Sequence, residues 1–490
     1  MSVAQLDLPR PLECATQPLD GSFGQPLDRP VAPPIRHGKV VLISYVFPPD
    51  NTSGAIRVGK FVQHLSTQHG WSLDVITPRR KSMSSQFAAN QMAFTDSVCV
   101  RRTRNFEIFD AVARWRRKPA VSQQLVSQES GPPRPREATE ETASGRPGKD
   151  RKRSLAARFS DLLAVPDTRT GWIFWAACGA LRSIGSTADR TVLFSSGPPH
   201  SAHVAAAIVK AITGRPWVVD LRDPWSSNPY SAVTDGPADR WNQRLERLVL
   251  RHADAILCNT IAARQLFRQR FPDLADSRLV TVPNGFDPED FEDVAPCPCW
   301  PSDTRPVLLH AGSIYGARTP FALLSALGAL YAEAPSHCPR LAFLGEWDPH
   351  VRSEADRIIS SLRLSDLITM RDCLPRRDAI AAQAAADGLI LLGDSSTSGV
   401  QIPGKLFEYL RLQKPLLSLF AAGSPVEAYL HRYAPVHACA APNDVHGIVN
   451  ALRHLSDANN ESPQPCHCID ELSRGYQVRM VHNVLQDVLN

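Results

Sequence analysis

The feature that most constrains this chain is a repeated alternation of short, unbroken apolar runs with amphipathic helical stretches. It begins abruptly at Lys39, where Val40-Val41-Leu42-Ile43 reads as a strand buried on both faces. A Pro- and Gly-bearing loop, Phe47 to Gly54, follows it. Val58, Phe61, Val62 and Leu65 then form one helical stripe, and Leu73–Thr77 reads as the next strand. Such a strand–helix–strand unit predicts a parallel sheet with crossover helices. Further strands are expected at Thr191–Ser195, Trp217–Leu221, Ala255–Cys258 and Leu279–Val282, with helices at His200–Ile212 and Trp241–Arg251. A second series follows at Val307–His310, Leu341–Leu344, Leu389–Leu392, Pro415–Leu419 and Pro435–His437.

The expected fold class is therefore α/β, with two Rossmann-like, doubly wound parallel-sheet domains facing a cleft. The expected boundaries are a disordered leader at 1–37, a first domain at 38–293, a linker at 294–306, a second domain at 307–470 and a C-terminal helix at 471–490. The first domain carries an insertion, 115–153, whose Ser, Gln, Pro, Gly and charged residues are too polar to offset their ordering entropy. Ligands of such sheets sit at the carboxyl ends of the strands.

Composition matters at three points. With 490 residues, 43% of them hydrophobic, the chain can bury more than one core. No apolar run approaches the roughly 20 residues of a membrane-spanning helix; the longest, Trp172–Leu181, reads as a buried or surface-lying helix. No secretory leader is visible, and eleven irregularly spaced cysteines suit a reducing compartment, so a cytoplasmic location is expected. The net charge of +5 is concentrated: Ala111 to Leu155 holds eleven Lys or Arg against five Asp or Glu.

Three segments place functional side chains at expected strand ends. Gly54 permits close approach of a ligand to a helix start, though an ordinary helix entry would use it too. Ser195-Ser-Gly-Pro-Pro-His200-Ser-Ala-His203 and Asp220-Leu-Arg222-Asp223 bring His, Arg and Asp to neighbouring strand ends. His200 could act as a base or bind a hydroxyl, or simply pack; Arg222 and Asp223 could be a structural ion pair. In Pro403-Gly404-Lys405-Leu-Phe-Glu408, a lysine at a helix start opposes the dipole and calls for an anion, which a diphosphate would supply. Glu408 could accept ribose hydroxyls, or pair with Lys405 on the surface.

Taken together, six stretches resemble those of the retaining glycosyltransferase family 4, the group 1 glycosyltransferases with the GT-B fold. They are Ile43–Asp50, Gly197–His203, Trp217–Trp225, Val282–Asp287, His310–Gly316 and Pro403–Glu408, in the family's order. The resemblance implies a nucleotide-sugar donor held mainly by the second domain, and an acceptor held mainly by the first. It places catalytic roles on His200, Arg318, Lys405 and Glu408, and donor contacts on Gly54, Gly312, Ser313, Arg318, Gly404, Lys405 and Glu408. Acceptor or sugar contacts fall on His203, Arg222, Asp223 and Asn284.

Several positions depart from the family pattern. Ser313 stands where an arginine is usual, Arg318 replaces a lysine, and Val400 occupies the place of the earlier glutamate. The tandem glycine of the first loop is Ser53-Gly54. The implied reaction is retaining, hexosyltransferase-like and metal-independent, with the nucleotide sugar as co-substrate and no cofactor. An Asp-X-Asp triplet is absent from the sequence, as that expects.

The expected acceptor is a glycan or lipid-linked intermediate of cell-surface polysaccharide synthesis. The basic insertion could touch the inner face of the cytoplasmic membrane, and no nucleic-acid partner is expected. Alternatives are a nucleotide-sugar epimerase or phosphorylase of the same fold, or a non-catalytic sugar-binding or scaffold protein derived from a transferase. Cys297-Pro-Cys299 and Cys466-His-Cys468 lack the spacing of zinc knuckles.

Overall fold

The computed structural model describes residues 38–50, 52–79, 92, 94–106, 164–185, 190–226, 236–301, 305–394, 401–458, 466 and 468–490. The expected leader, the basic insertion 115–153 and Val400 lie outside the described residues.

Thirteen strands are described, in two sheets, and every pairing is parallel. The first sheet has the order β3-β2-β1-β4-β5-β6-β7. Its strands are β1 Lys39–Ser44, β2 Ser72–Pro78, β3 Val98–Thr103, β4 Thr191–Gly197, β5 Trp217–Leu221, β6 Ala255–Cys258 and β7 Leu279–Thr281. The second has the order β10-β9-β8-β11-β12-β13. It is built from β8 Val307–Ala311, β9 Arg340–Leu344, β10 Ile368–Arg371, β11 Gly388–Leu392, β12 Leu416–Leu419 and β13 His437–Ala440. Both sheets are doubly wound, with the strand order reversing at β1/β4 and β8/β11. Crevices open at those two points.

Two strands escape the sequence pattern, β3 and β10, and both lie at sheet edges. β3, Val-Cys-Val-Arg-Arg-Thr, is partly exposed along its length, so it lacks the continuous apolar signature of a central strand. The last strand is His437–Ala440, beginning two residues later than the expected Pro435–His437. Prolines cannot donate to the ladder, and the pairing of Leu416–Leu419 begins only at His437.

The apolar run at Trp172 forms the helix Ile173–Ile184, whose Ala176, Ala177 and Ala180 join the core of the first sheet while Phe174 stays exposed. The chain ends in the helix Arg474–Asp487. Its Val478, Val481 and Leu485 are buried with Val40, Leu42, Phe61 and Leu73 of the first sheet's core. The last helix of the chain therefore closes the first domain. The outgoing and returning strands of this crossing pair at Phe286 and Ser473.

Asp287 fixes the crossing electrostatically. Its buried carboxylate meets Arg474 Nε at 3.0 Å, His64 Nε2 at 3.4 Å and Lys60 Nζ at 3.5 Å. Burial alone would raise its pKa, but the His64 hydrogen bond and the Arg474 and Lys60 charges hold it below the ordinary value.

Candidate functional site

A cavity of about 640 Å³ opens between the carboxyl ends of the two sheets. One wall is made by the start of the helix Ser53–Thr67. Thr52 caps it, accepting from Ala55 N at 3.3 Å, and no acidic residue occupies its first turn. Thr52, Ser53 and Gly54 line the cavity, so the positive dipole end of this helix faces it. Opposite, Pro403 and Gly404 bring the start of the helix Lys405–Leu412 to the same space.

Cations converge between these helix ends. Arg57, one turn into the first helix, is 1% exposed. Its Nη2 donates to Asp220 Oδ1 at 2.9 Å and to Val282 O at 2.8 Å, and its Nη1 donates to Pro283 O at 2.9 Å and Asn284 Oδ1 at 3.2 Å. Asp220, at the end of β5, also accepts from Ser196 Oγ at 2.7 Å. Arg222 follows on the same strand end and donates to Pro198 O. A Cβ on residue 54 would coincide with its guanidinium, so only glycine leaves Arg222 its place. Arg318, from the second domain, lies over the Tyr315 ring at 5.8 Å, and both residues line the cavity.

Asp223 is the carboxylate among the lining residues. It accepts from Gln401 Nε2 at 2.9 Å, a hydrogen bond that joins the two domains across the cavity. Burial pushes its pKa up, while Arg222 pulls the other way.

Of the residues singled out in sequence, Gly54, Arg222, Asp223, Asn284, Arg318 and Gly404 line this cavity. Lys405 lies just behind it, its ammonium seated against Gly312, which has φ +155° and no room for a side chain. Burial lowers the Lys405 pKa to about 8, with Arg318 adding to the effect and Glu408 opposing it. Beneath it, His310 Nδ1 bonds Ile390 O at 2.9 Å. Ser313 is exposed and is not among the lining residues.

Three placements refine the sequence reading. His203 is not a cleft residue: it is fully buried against Gly197, its Nδ1 2.8 Å from Ser195 Oγ, which also accepts from Trp217 Nε1. A small residue at 197 is what lets the ring fold inward. His200 precedes the helix Ser201–Thr213 and stacks on Trp225, centroids 4.4 Å apart and planes within 5°. Its Nδ1 has no hydrogen-bond partner among the described residues. Burial, His203 and Arg222 together hold it neutral by lowering its pKa well below 6.5. Glu408 is engaged by Arg376 Nη1 at 2.9 Å, and Arg376 also holds Asp290 at 2.6 Å. The alternative reading of Glu408, a surface pair with Lys405, gives way to this bridge, because Arg376 offers a fork that reaches both carboxylates.

Arg57, Asn259, Tyr315, Gln401 and Arg376 were not anticipated. Arg57 left one signal. It falls on the inward stripe of its helix, three residues after Gly54 and four before Phe61, where an unpaired charge would be costly.

Comparison with known proteins supports this architecture. Residues 110–285 match a family model described as a glycosyl transferase 4-like domain. No curated protein matches the chain. Among solved structures, sucrose-phosphate synthase from Thermosynechococcus elongatus is similar at 12% identity and a TM-score of 0.55, over 92% of this chain and 96% of that one. Anabaena HepE, in complex with UDP and glucose, matches at 13% identity and a TM-score of 0.53, over 92% and 99% of the two chains. A structure described as trehalose-6-phosphate from E. coli, bound with UDP-2-fluoro glucose, gives 10% identity and a TM-score of 0.58 over 91% and 99%. The chain has the GT-B fold. At these identities the likeness is one of backbone fold.

Proposed function

We propose that this protein is a glycosyltransferase that moves a sugar from a nucleotide-sugar donor to an acceptor hydroxyl, with retention at the anomeric carbon. The observation that carries the proposal is the meeting of Arg57, Arg222, Arg318 and two helix starts around one cavity, against one carboxylate, Asp223, among the described lining residues. Such a field suits a leaving diphosphate, on which charge develops as the glycosidic bond breaks. The family model matched by the first domain and the UDP-bound relatives point the same way.

In this reading the diphosphate lies between Gly312, Arg318 and the start of the helix Lys405–Leu412, with Lys405 behind it. Glu408, held in place by Arg376, takes the ribose hydroxyls. The bond between the anomeric carbon and the phosphate oxygen breaks, the acceptor oxygen bonds that carbon on the same face, and the acceptor's proton passes to the departing phosphate oxygen. This front-side displacement uses no second carboxylate and no resident metal. Neutral His200, held by Trp225, positions a hydroxyl rather than supplying charge. Asn284 and Asp223 face the acceptor side.

The acceptor in this proposal is a glycan or lipid-linked intermediate, met at the cytoplasmic face of a membrane. No described helix is long and apolar enough to cross one. The test is a thermal-shift screen with UDP and a panel of nucleotide sugars, followed by transfer assays of the native chain and Glu408→Ala. A ligand of the native state raises the melting temperature with concentration. Transfer undiminished in Glu408→Ala overturns the site assignment. Donor turnover in the absence of any acceptor favours an epimerase or hydrolase instead.

A further inference from the structure

The helix Pro237–His252 divides its charges by sign. Its two carboxylates are both used by the protein. Asp239 caps the helix start, accepting from Gly236 N at 3.1 Å, and Glu246 is fully buried with Ser226 and Arg270. Its arginines all face solvent: Arg240, Arg244, Arg247 and Arg251 are exposed. At 100° per residue they fall within one narrow stripe. Arg240, Arg244 and Arg247 have no ion pair with any described residue, and Arg251 meets Asp273 only at 3.9 Å.

Helix stability does not account for this stripe. A cation one turn from a helix start, as Arg240 is, opposes the dipole, and arginines at i, i+4 and i+7 repel one another. Beside the stripe stand two large apolar groups, Trp241 at 49% exposure and Leu248 at 45%, with the Arg244 guanidinium 5.2 Å from the Trp241 ring centre. The helix packs against Ser201–Thr213, which itself exposes Ile208 and Ile212.

We propose that this face docks on an anionic lipid bilayer, with the arginine stripe on the headgroups and Trp241 and Leu248 entering the interface. The complementarity is specific to such a surface. A row of exposed guanidinium groups, three of them without an ion pair among the described residues, asks for a dense sheet of anions, and an exposed indole beside it favours the headgroup boundary. The position is also suitable. Asn242, next to Trp241, accepts from Trp225 Nε1 at 3.1 Å, and Trp225 stacks on His200 beside the cavity. Asn242 lies on the opposite side of the helix from the arginine stripe, so the helix stands between the first domain's side of the cleft and the docked face.

The test uses the full chain and sedimentation with vesicles of phosphatidylcholine alone or of equal parts phosphatidylcholine and phosphatidylglycerol. The native chain binds the anionic vesicles, and binding weakens as salt rises. The triple variant Arg240→Gln/Arg244→Gln/Arg247→Gln loses about a hundredfold in affinity, at about 1 kcal/mol for each basic residue near the surface. Trp241→Ala/Leu248→Ser loses binding as well, with circular dichroism and UDP affinity unchanged in both variants. Equal binding of native chain and triple variant overturns the proposal, as does loss of binding only on deletion of 115–153. A native dimer that either variant dissociates, without vesicle binding, assigns the face to a second copy instead. None of these readouts requires sugar transfer, so this inference and the proposed function fail separately.

Discussion

The guanidinium of Arg222 occupies the space that a side chain on Gly54 would fill. The second domain repeats the device, with the Lys405 ammonium seated against Gly312. In each domain a glycine in the segment that follows the first strand makes room for a cation delivered from a later part of the chain. The two cations approach the cavity from opposite sides.

Gly54→Ala therefore moves Arg222 while leaving the core intact, since the clash is with the end of a flexible side chain. A displacement near 1 Å at a reacting centre costs about a hundredfold in rate. Steady-state assays with a nucleotide sugar should show kcat/KM falling by that order with little change in melting temperature. An unchanged kcat/KM would show that Arg222 needs no fixed place.

Lys405 gives the site a basic limit. Burial lowers its pKa to about 8, so the ammonium that favours a diphosphate is present at neutral pH and lost as pH rises through that value. UDP affinity measured by calorimetry should decline above about pH 8, and Lys405→Met should flatten the profile. Because the folded state releases this proton before the unfolded chain does, the same group stabilises the fold progressively between about pH 8 and the unfolded lysine value near 10.4.

Arg376 does not line the cavity, yet it holds Glu408. Arg376→Leu should lower donor affinity about tenfold, the scale of a charge-assisted hydrogen bond, and Asp290→Asn should do so less. Full affinity in Arg376→Leu would mean that Glu408 needs no support.

Asp287 should be a stability residue rather than a site residue. Asp287→Ala leaves Arg474, Lys60 and His64 buried around an empty centre, at a cost of about 3–5 kcal/mol. Its carboxyl titrates below the ordinary aspartate value. The stability it supplies is therefore complete above about pH 3.9 and disappears as pH falls through the lower folded value. Urea titrations at several pH values read both effects.

Ending the chain at Ser473 should unfold the first domain, although the cut lies almost two hundred residues beyond its last strand. Val478, Val481 and Leu485 would leave its core, at about 1.5–3 kcal/mol for each side chain. Loss of near-ultraviolet dichroism from Trp71 and Trp217 would report it; a native spectrum would refute it.

Much of this architecture is written locally. The apolar runs at Val40–Ile43, Leu193 and Leu389–Leu392 announce central strands because both of their faces are buried, and Pro403-Gly404 announces a helix start by its backbone limits. β3 and β10 left no such mark, since an edge strand needs only half its residues apolar. At the site, the sequence singled out Gly54, Arg222, Asp223 and Arg318, all of which line the cavity. It gave both His200 and His203, three residues apart at one helix start, a place in the site. One rests on Trp225, and the other turns inward because Gly197 gives it room.

Pairings across long separations were beyond sequence altogether: Arg57 with Asp220, Gln401 with Asp223, Arg376 with Glu408, and the return of the final helix to the first sheet. Hydrophobic period and backbone preference act over a few residues, so the chain alone determined its central strands, the helices between them and the two-sheet plan. Which charges meet depends on how loops from separate elements converge once the sheets have formed, and only the tertiary structure decided that.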